Sequence, residues 1–294
     1  AGPAPLARIT PALRWIGLVV LLVLVEPVVW AAPPAWFMKA AALPTPEHDA
    51  DAPYAVLLDE ATYDFSKPGR EIRTSRYVLR VLTRDGLDHA VARAYYNQGS
   101  SRVSTLEAWL VSAHGRTRTY VRSKAVDLEA GGNALMSESR LLQISPGADL
   151  AVGDVFGWEA STDTRTRIGE VGWFFQSAGP VVRSSVTIRV PEHWRVEGCV
   201  FNHDPIVPVV RDGATTWELR DLPRIPKEQA APSFSRLAAR LNAVVLAGGT
   251  PTGAEPWLAF TTWEDVARYQ WDIHEARVAP DSAIEARARS VAGE

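Results

Sequence analysis

The sequence predicts a mainly β protein, an antiparallel β-sandwich of many short strands that is followed by two short C-terminal helices. Three observations predict this fold. Apolar and polar residues alternate in steps of two over residues 54–245. Turn residues interrupt the alternation at intervals of roughly 8–12 residues, as in sandwiches and barrels. Beyond residue 260 the apolar residues recur every three or four positions, which is the period of a helix.

Composition sets the broad class of the protein. A chain of 294 residues with 47% hydrophobic and 22% charged residues is typical of folded domains. A net charge of -3 gives no reason to expect a nucleic-acid partner, since proteins that bind nucleic acids usually have a basic face or stripe. The single cysteine excludes an internal disulfide and a four-cysteine metal site. Eleven tryptophans are spread along the chain, and most are predicted to anchor the core.

Residues 1–31 have the pattern of a secretory signal peptide. Arg8 and Arg14 precede an apolar run over residues 15–25, and residues 29–31 provide a small-residue cleavage site. The alternative is an uncleaved membrane anchor, which needs about 20 apolar residues and would have to include the Glu-Pro pair that ends the run. We therefore predict an exported protein, periplasmic or extracellular, that contacts the membrane only if the signal remains uncleaved.

The strands are predicted from residue 54 onward. Residues 32–53 are rich in Ala and Pro and are predicted to be a linker. The first two strands flank the turn sequence SKPG, and a third begins in HAVARAYYN. Asp212 and Gly213 are predicted to form a two-residue hairpin turn. The remaining strands are predicted in the segments STLEAWLVSAHGRTRTYVR, DLAVGDVFGWEASTDT, VGWFFQSAGPVVRSSVTIRVP, RVEGCVFN and VPVVRDGATTWELRDLP.

Two amphipathic helices are predicted over residues 261–294, after a linker over residues 246–260. Thr261 with Glu264, and Ser282 with Glu285, each fit the capping box of a helix N-terminus. Isolated helices of this length are marginal in water. We therefore expect this region to be the start of a second module, most of which would lie beyond residue 294.

Cys199, His203 and Asp204 have the residue types of a catalytic triad. The segment that contains them, VEGCVFNHD, is predicted to be a strand and a turn. Residues four apart in a strand are separated by about 13 Å, too far for proton transfer unless the chain turns sharply. The preferred interpretation of Cys199 is a small buried apolar residue. The alternative, a cysteine nucleophile, requires a partly exposed thiol with a base within about 3 Å.

No other motif predicts a catalytic residue, a cofactor or a metal. The sequence contains no Gly-x-Ser-x-Gly elbow and no Gly-rich phosphate loop in a strand–helix context. The other histidines lie singly, without zinc-site spacing, at positions 48, 89, 114, 193 and 274. Four cationic residues are predicted to alternate along the solvated face of one strand, with contact to an anionic polysaccharide as the alternative: Arg116, Arg118, Arg122 and Lys124.

The order of these segments resembles that of the DUF3857 family, a domain found at the N-terminal end of exported bacterial transglutaminase-like proteins. The most recognisable marks are Gly153-Asp154-Val155, then the aromatic-Gln segment Trp173, Phe174, Phe175 and Gln176, followed by Pro180-Val181. The resemblance covers roughly residues 54–245. The matching segments are AVLLDEATYDF, RYVLRVLTRDGLDHA, STLEAWLVSAHGRT, LAVGDVFGWEA, WFFQSAGPVVRSSVTIRVPEHW and TTWELRDLPRIPKEQAAPS.

This resemblance implies a β-sandwich without an assigned role, followed by a papain-like module with a Cys–His–Asp triad. No residue of this sequence matches that triad, so no catalytic residue is carried over. We expect a non-catalytic accessory domain of an exported cysteine enzyme. The alternative is a self-contained cell-envelope module that binds glycan or peptide. The expected partners are peptide, protein or glycan of the envelope, or a C-terminal catalytic module of the same protein.

Overall fold

The computed structural model describes residues 32–48, 50–67, 69–130, 138–246, 262–278 and 280–293, together with Gly2 and Phe260. These residues form fourteen strands: β1 (Tyr54–Asp64), β2 (Arg70–Val81), β3 (Ala92–Asn97), β4 (Ser101–Val111), β5 (Thr117–Tyr120), β6 (Val126–Glu129), β7 (Ser139–Ile144), β8 (Val155–Arg165), β9 (Glu170–Phe174), β10 (Val181–Arg189), β11 (Arg195–Phe201), β12 (Val209–Arg211), β13 (Ala214–Leu222) and β14 (Arg240–Leu246). They also form four α-helices: α1 (Ala35–Ala41), α2 (Phe234–Leu237), α3 (Trp263–Val278) and α4 (Ser282–Ala292).

The strands form one large sheet and two small ones. The large sheet has eight strands in the order β12-β13-β10-β1-β2-β8-β4-β5. The small sheets have three strands each, in the orders β11-β14-β9 and β3-β7-β6. Buried residues from all three sheets belong to a single core cluster. The predicted mainly β sandwich is therefore confirmed, with a second layer that is divided between two sheets.

Strict alternation places the inner-face residues in rows across the large sheet. Val56 of β1 pairs with Leu79 of β2, which pairs with Phe156 of β8, which pairs with Leu110 of β4. All four side chains are buried in the core. Because successive residues of a strand point to opposite faces, this register turns a pattern of period two into a continuous apolar layer.

Among the described strands, β1 and β10 form the one parallel pair, and all other pairs are antiparallel. β10 lies beside β1 after the chain has left β9 in the other layer. The sequence prediction specified antiparallel strands throughout. Alternation depends on which face a side chain occupies and carries no information on strand direction, so this pair could not be recognised from the pattern.

The predicted linker over residues 32–53 differs in the structure, because it contains the helix α1. Phe37 is fully buried on the outer face of the large sheet, with its ring centroid 5.8 Å from that of Trp109. Gly157 makes room for this ring, since a Cβ there would lie 2.7 Å from it. Arg80 of β2 donates a hydrogen bond to the carbonyl of Ala41 (3.1 Å). Tertiary packing therefore stabilises a helix too short to persist alone.

The outer face of the large sheet also carries a row of ion pairs. Arg183 lies between Glu218 (2.9 Å) and Glu60 (3.8 Å), and Arg76 lies between Glu60 (3.4 Å) and Glu159 (2.5 Å). The five side chains run across five adjacent strands, with charges of alternating sign. These charged side chains give a polar surface to the part of the outer face that α1 does not cover.

The predicted hairpin turn at Asp212 and Gly213 is confirmed. Both residues have positive φ angles, of 50° and 71°, as a type I′ turn requires. The turn joins β12 to β13, which pair in register. At this position the Asp-Gly sequence therefore predicted the connection between the two strands correctly.

Both C-terminal helices are present, but both predicted caps were displaced by one residue. Asp265 donates its backbone N–H to the Thr262 side chain (3.2 Å) and accepts from the Thr262 backbone (3.0 Å), so this box begins one residue after Thr261. Asp281, rather than Ser282, caps α4 by accepting from the backbone of Ile284 (2.8 Å). In each case the adjacent residue has an equally suitable side chain, and only the backbone geometry decides between them.

The tryptophans divide by location. Of the eight that the structure describes, three are buried (Trp109, Trp173 and Trp217) and three are partly buried (Trp36, Trp158 and Trp194). The two exposed ones lie on α3: Trp263 is 84% exposed and Trp271 is 58% exposed. The prediction that most tryptophans anchor the core is confirmed for the described sandwich but not for α3.

The predicted signal peptide lies outside the described residues, apart from Gly2, and so does the predicted linker over residues 246–260, apart from its two ends. The described residues from position 32 onward belong to one compact unit. Within the part of the chain that the structure describes, every helix is too short or too polar to cross a membrane.

Candidate functional site

Cys199 lies on β11, an edge strand of a small sheet, and its side chain is exposed. The preferred interpretation of a buried cysteine was therefore wrong, because Cys199 is in phase with the exposed Glu197 and Phe201 on the outward face of β11, whereas Val196 and Val200 pack against the core. The thiol contacts the carbonyl oxygen of Val200 at 3.9 Å. His203 directs Nδ1 to the carbonyl oxygen of Asp204 at 2.8 Å. The three triad-type residues are thus close in sequence, but the side chains of Cys199 and His203, which the structure describes, contact main-chain carbonyls and form no hydrogen bond with one another.

The other histidines and the possible metal ligands also do not come together into a site among the described residues. No group of three or more metal-ligating side chains occurs among the residues that the structure describes. The His89 ring lies against that of Tyr54, with centroids 4.4 Å apart and planes tilted by 38°, and burial together with the nearby Arg93 lowers the pKa of His89. His48 and His274 each bond to a nearby backbone carbonyl.

The predicted row of cations along one strand is broken in the structure. β5 ends at Tyr120, and Arg122 and Lys124 lie in the following 3-10 helix. Arg118 pairs with Asp149, and Arg122 donates to the carbonyl oxygen of Val103. The expectation of four cations alternating along one strand is therefore wrong, because the strand is too short to hold them.

A crevice of about 260 Å³ lies on the inner face of the large sheet, between β2 and β8 and beside β3. We call it the central crevice. Its floor consists of Ser75 and Ala160, which are Cα partners across β2 and β8. Ala61 of β1 pairs with Ser75 on the other side. Three small residues in register on adjacent strands leave this part of the sheet without the bulky side chains that fill the rest of the core.

On one side of this floor, a row of larger polar side chains crosses the sheet. Asp59 of β1 pairs with Tyr77 of β2, which pairs with Trp158 of β8. The rings of Tyr77 and Trp158 stack with centroids 6.0 Å apart, which fixes the indole where it lines the crevice. Among the described residues, the Asp59 carboxyl forms no ion pair and accepts no hydrogen bond, and the residue is partly buried.

On the other side of the floor, Tyr63 of β1 pairs with Arg73 of β2, which pairs with Thr162 of β8. The Arg73 guanidinium lies 5.2 Å from the centre of the Tyr63 ring and donates to the Ser75 hydroxyl at 3.0 Å. Glu71 lies two residues before Arg73 on the same face of β2, and it also lines the crevice. The central crevice therefore has both carboxyl and guanidinium groups in its walls.

Burial changes the acidity of the groups in this region. The pKa of Asp59 is raised to about 7, mainly by desolvation, while the charge of Arg73 opposes the rise and that of Glu60 adds to it. Desolvation likewise raises the pKa of Glu71, and Arg73 again opposes it. Near neutral pH the Asp59 carboxyl can therefore donate or accept a hydrogen bond.

Sequence reasoning missed these residues, although the sequence contains a signal for them. Asp59 is in phase with the buried Ala61 and Tyr63 of the same strand. Arg73 is in phase with the buried Leu79 of β2. A charged residue at the core-facing phase of a strand is unusual and indicates either a partner or a solvent-filled gap.

Residues 67–226, more than half of the chain, match the family described as "Domain of Unknown Function with solved-structure structure (DUF3857)". The chain belongs to the DUF3857 family. The resemblance inferred from the sequence is confirmed over this range, whereas the transglutaminase-like context is not part of the match. No curated protein matches the sequence.

In this DUF3857 chain, the Gly-Asp-Val mark has a structural role. Asp154 is buried, and its carboxylate accepts the backbone N–H groups of Ala113 and Ala151, each at 2.9 Å. The backbone of Gly153 donates to Val81 (2.9 Å), and Val81 donates to Asp154 (3.0 Å). These hydrogen bonds connect the start of β8 to the end of β2 and to the hairpin turn that follows β4.

The aromatic-Gln mark connects the small sheet of β9 to its surroundings. The indole N–H of Trp173 donates to the buried hydroxyl of Ser184 at 3.0 Å. The Gln176 side chain accepts from the backbone of Ala239 (2.9 Å) and donates to the carbonyl of Pro223 (3.0 Å). Both recognisable marks of the DUF3857 chain therefore stabilise the fold.

Solved structures resemble the DUF3857 chain at low sequence identity. A Parabacteroides distasonis protein described as a candidate protease is 16% identical with a TM-score of 0.57, and the match covers 65% of this chain and 40% of that chain. Native leukotriene A4 hydrolase from Saccharomyces cerevisiae is 11% identical with a TM-score of 0.34, covering 72% and 33%. An M1 zinc metallopeptidase from Deinococcus radiodurans is 11% identical with a TM-score of 0.30, covering 70% and 44%.

The Parabacteroides protein shares the fold of this chain. The chain spans about two fifths of that protein's length, since the match covers 40% of it. At TM-scores of 0.34 and 0.30, the other two likenesses do not establish a shared fold.

Proposed function

We propose that this DUF3857 chain is a non-catalytic accessory domain of a larger transglutaminase-like or papain-like cysteine enzyme. The observation that carries the proposal is the shared fold with part of a protein described as a candidate protease. The matched region is 40% of that protein, so most of it lies outside the match. An accessory domain accounts for a sandwich that recurs inside a longer protein of this kind.

The surroundings of Cys199 support placing catalysis elsewhere. A nucleophilic thiol needs a base within hydrogen-bonding reach and a third group that orients the base. The contact of the Cys199 thiol is a backbone carbonyl, and the ring nitrogen of His203 is directed to another backbone carbonyl. This geometry favours a structural or incidental position for Cys199.

The exposed apolar side chains of α3 support a further packing partner. Trp263 and Trp271 are exposed, and Ile273 is partly so. Tyr269 of the same helix, by contrast, lines a pocket with Arg165 and Ile168 at one end of the large sheet. Large exposed aromatic side chains on one helix are typical of an interaction surface. A catalytic module that packs on α3 would bury them.

The test compares this chain with the longer product obtained by reading the gene beyond the codon for Glu294. Both proteins are assayed for thiol-dependent hydrolysis of peptide amides and for acyl transfer from glutamine peptides to hydroxylamine. We expect activity only in the longer product, and we expect it to persist in the Cys199→Ser variant. Activity in this chain that Cys199→Ser abolishes would overturn the proposal, and so would an immediate stop codon.

We also propose that the protein is exported to the periplasm or the cell surface, on the basis of the signal-type pattern in residues 1–31. The expected mature protein begins after Ala31, and N-terminal sequencing of the protein from the native envelope fraction tests this. An intact N-terminus in the cytoplasmic fraction would contradict it.

A second candidate function is that of an envelope binding module for peptide or glycan. The central crevice favours it, because its walls combine aromatic rings with carboxyl and guanidinium groups. Sites that bind small ligands are concave and combine apolar walls with a few polar groups. Binding and an accessory role are compatible, since an accessory domain can hold the substrate of the enzyme that it belongs to.

A further inference from the structure

We propose that the central crevice binds an extended polypeptide segment, which adds a strand to the free edge of β3. This inference rests on the second proposed function and specifies its ligand and its site. It requires three features: an unpaired strand edge that lines the crevice, space in front of that edge, and polar side chains that can meet those of the bound segment.

The strand edge is identified by the residues that line the crevice. Arg93, Ala94 and Tyr95 of β3 all do so, although their side chains alternate between the two faces of the sheet. Consecutive residues of a strand share a boundary of this kind only along its backbone edge. Within the described strands, β3 ends its sheet and has β7 as its sole neighbour. The free edge of β3 therefore borders the crevice.

The hydrogen-bond pattern shows which backbone groups lie at this edge. Gln98 donates its backbone N–H to Glu138, in the same register as the pairing of β3 with β7. Hydrogen-bonded and non-hydrogen-bonded pairs alternate along an antiparallel ladder. Ala94, four residues before Gln98, therefore bonds toward β7. Arg93 and Tyr95 direct their N–H and C=O groups away from β7, toward the crevice.

The outward-directed N–H and C=O groups of Arg93 and Tyr95 have no neighbouring strand to pair with. An extended peptide is the ligand that can form the missing ladder of hydrogen bonds with them. Binding by strand addition obtains affinity from main-chain hydrogen bonds and selectivity from pockets for alternate side chains. The floor of Ser75 and Ala160 provides such a pocket directly beside the edge. A saccharide would use the side chains of the crevice but would leave the two outward-directed backbone positions of β3 without a ladder partner.

The side chains of the crevice suit a polar residue of the bound segment. Arg73 and Glu71 line the pocket and can pair with a side chain of either charge. Asp59, in the next row of the sheet, has no hydrogen-bond partner among the described residues. A polar side chain that enters beside the floor would give this carboxyl a partner.

Proline substitution tests the strand edge directly. Tyr95→Pro removes an N–H that points into the crevice, and edge strands tolerate proline where the N–H is not used by the sheet. Tyr95→Ala is the matched control, because it removes the side chain but keeps the N–H. The probe is reduced, carboxymethylated α-lactalbumin, an unfolded polypeptide, with the native folded protein as the negative control. Binding to the full chain is measured by fluorescence anisotropy.

We expect the unfolded probe to bind with a Kd below about 100 µM, and Tyr95→Pro to weaken binding at least tenfold, while Tyr95→Ala changes it less than threefold. Amide hydrogen exchange at Arg93 and Tyr95 should slow when the probe is bound. Thr162→Trp, which fills the crevice from β8, should also abolish binding; it is the second variant if Tyr95→Pro does not fold.

Three outcomes would overturn the inference. If the unfolded probe does not bind, both the inference and the peptide form of the binding function fail. If it binds equally well to Tyr95→Pro and Thr162→Trp, the binding function stands and the site is wrong. If chitotetraose binds, and Thr162→Trp abolishes its binding while peptides do not bind, the crevice is a glycan site. The activity assay of the longer product tests the accessory role independently of all three.

Discussion

Replacing Asp59 with asparagine should stabilise the protein above neutral pH and should have little effect in acid. The substitution keeps the size and the hydrogen-bonding capacity of the side chain but removes its charge. In the folded protein, desolvation raises the pKa of Asp59 from 3.8 to about 7. The wild-type carboxyl therefore favours the folded state below pH 4, and this contribution is lost as the pH rises through about 7.

The raised pKa sets the size of the effect. The difference between 3.8 and about 7 corresponds to about 4 kcal/mol, at roughly 1.4 kcal/mol per pKa unit. This is an upper limit, because Asp59 is only partly buried and water that reaches the crevice screens its charge. We therefore expect the stability difference between Asp59→Asn and the wild type to grow by about 2 kcal/mol between pH 4 and pH 8.

Urea unfolding followed by tryptophan fluorescence at pH 4, 6 and 8 measures this difference. Asp85→Asn is the matched control, since Asp85 is an exposed aspartate outside the sheet, in the 3-10 helix after β2. Its stability relative to the wild type should not change across the same range. If the difference for Asp59→Asn is the same at pH 4 and pH 8, the carboxyl is not desolvated in the folded protein and the upward shift of its pKa is wrong.

Three further predictions concern the fold. Phe37→Ala should lower the free energy of unfolding by about 3–5 kcal/mol in urea unfolding. Gly157→Ala should destabilise the wild-type protein, and its cost should be at least about 1 kcal/mol smaller in the Phe37→Ala background. Equal costs in the two backgrounds would contradict the packing of the Phe37 ring over Gly157. Asp154→Ala should cost about 3 kcal/mol, because the part-buried backbone N–H groups of Ala113 and Ala151 lose their carboxylate acceptor. A cost below about 1 kcal/mol would contradict that role. Cys199→Ser should change stability by less than about 0.5 kcal/mol, and Cys199 should react with Ellman's reagent in the folded protein; a thiol that reacts only after unfolding would contradict its exposure.

The features predicted from the sequence were those that local patterns determine. Strand alternation and the Asp212-Gly213 turn depend on residues close together in the chain, so a single sequence contains the full signal. The C-terminal helices were predicted for the same reason. Their caps were displaced by one residue because neighbouring Thr, Ser and Asp residues satisfy the same pattern, and only the backbone angle at the first turn distinguishes them.

The features that the sequence did not predict depend on contacts between distant segments. α1 was interpreted as linker because its helix is seven residues long and is stabilised by Phe37 packing on the sheet. The crevice arises because Ala160 of β8, which is distant in sequence, comes into register with Ala61 and Ser75 of the β1–β2 hairpin. Cys199 was placed in the core because free cysteines usually lie there, but it has the outward phase of β11, and which phase faces outward depends on how the small sheet packs on the core.

Two aspartates of the same sandwich show how a structural residue can be distinguished from a functional one. The carboxylate of Asp154 accepts two backbone N–H groups, so the fold requires it and its presence in a family mark follows. Asp59 faces the core without such partners, and its raised pKa means that ionisation at neutral pH destabilises the protein. Alanine at that position would fold with less difficulty. A residue that weakens the fold, in the row of the sheet next to the floor of the central crevice, is better explained by what it binds than by what it stabilises.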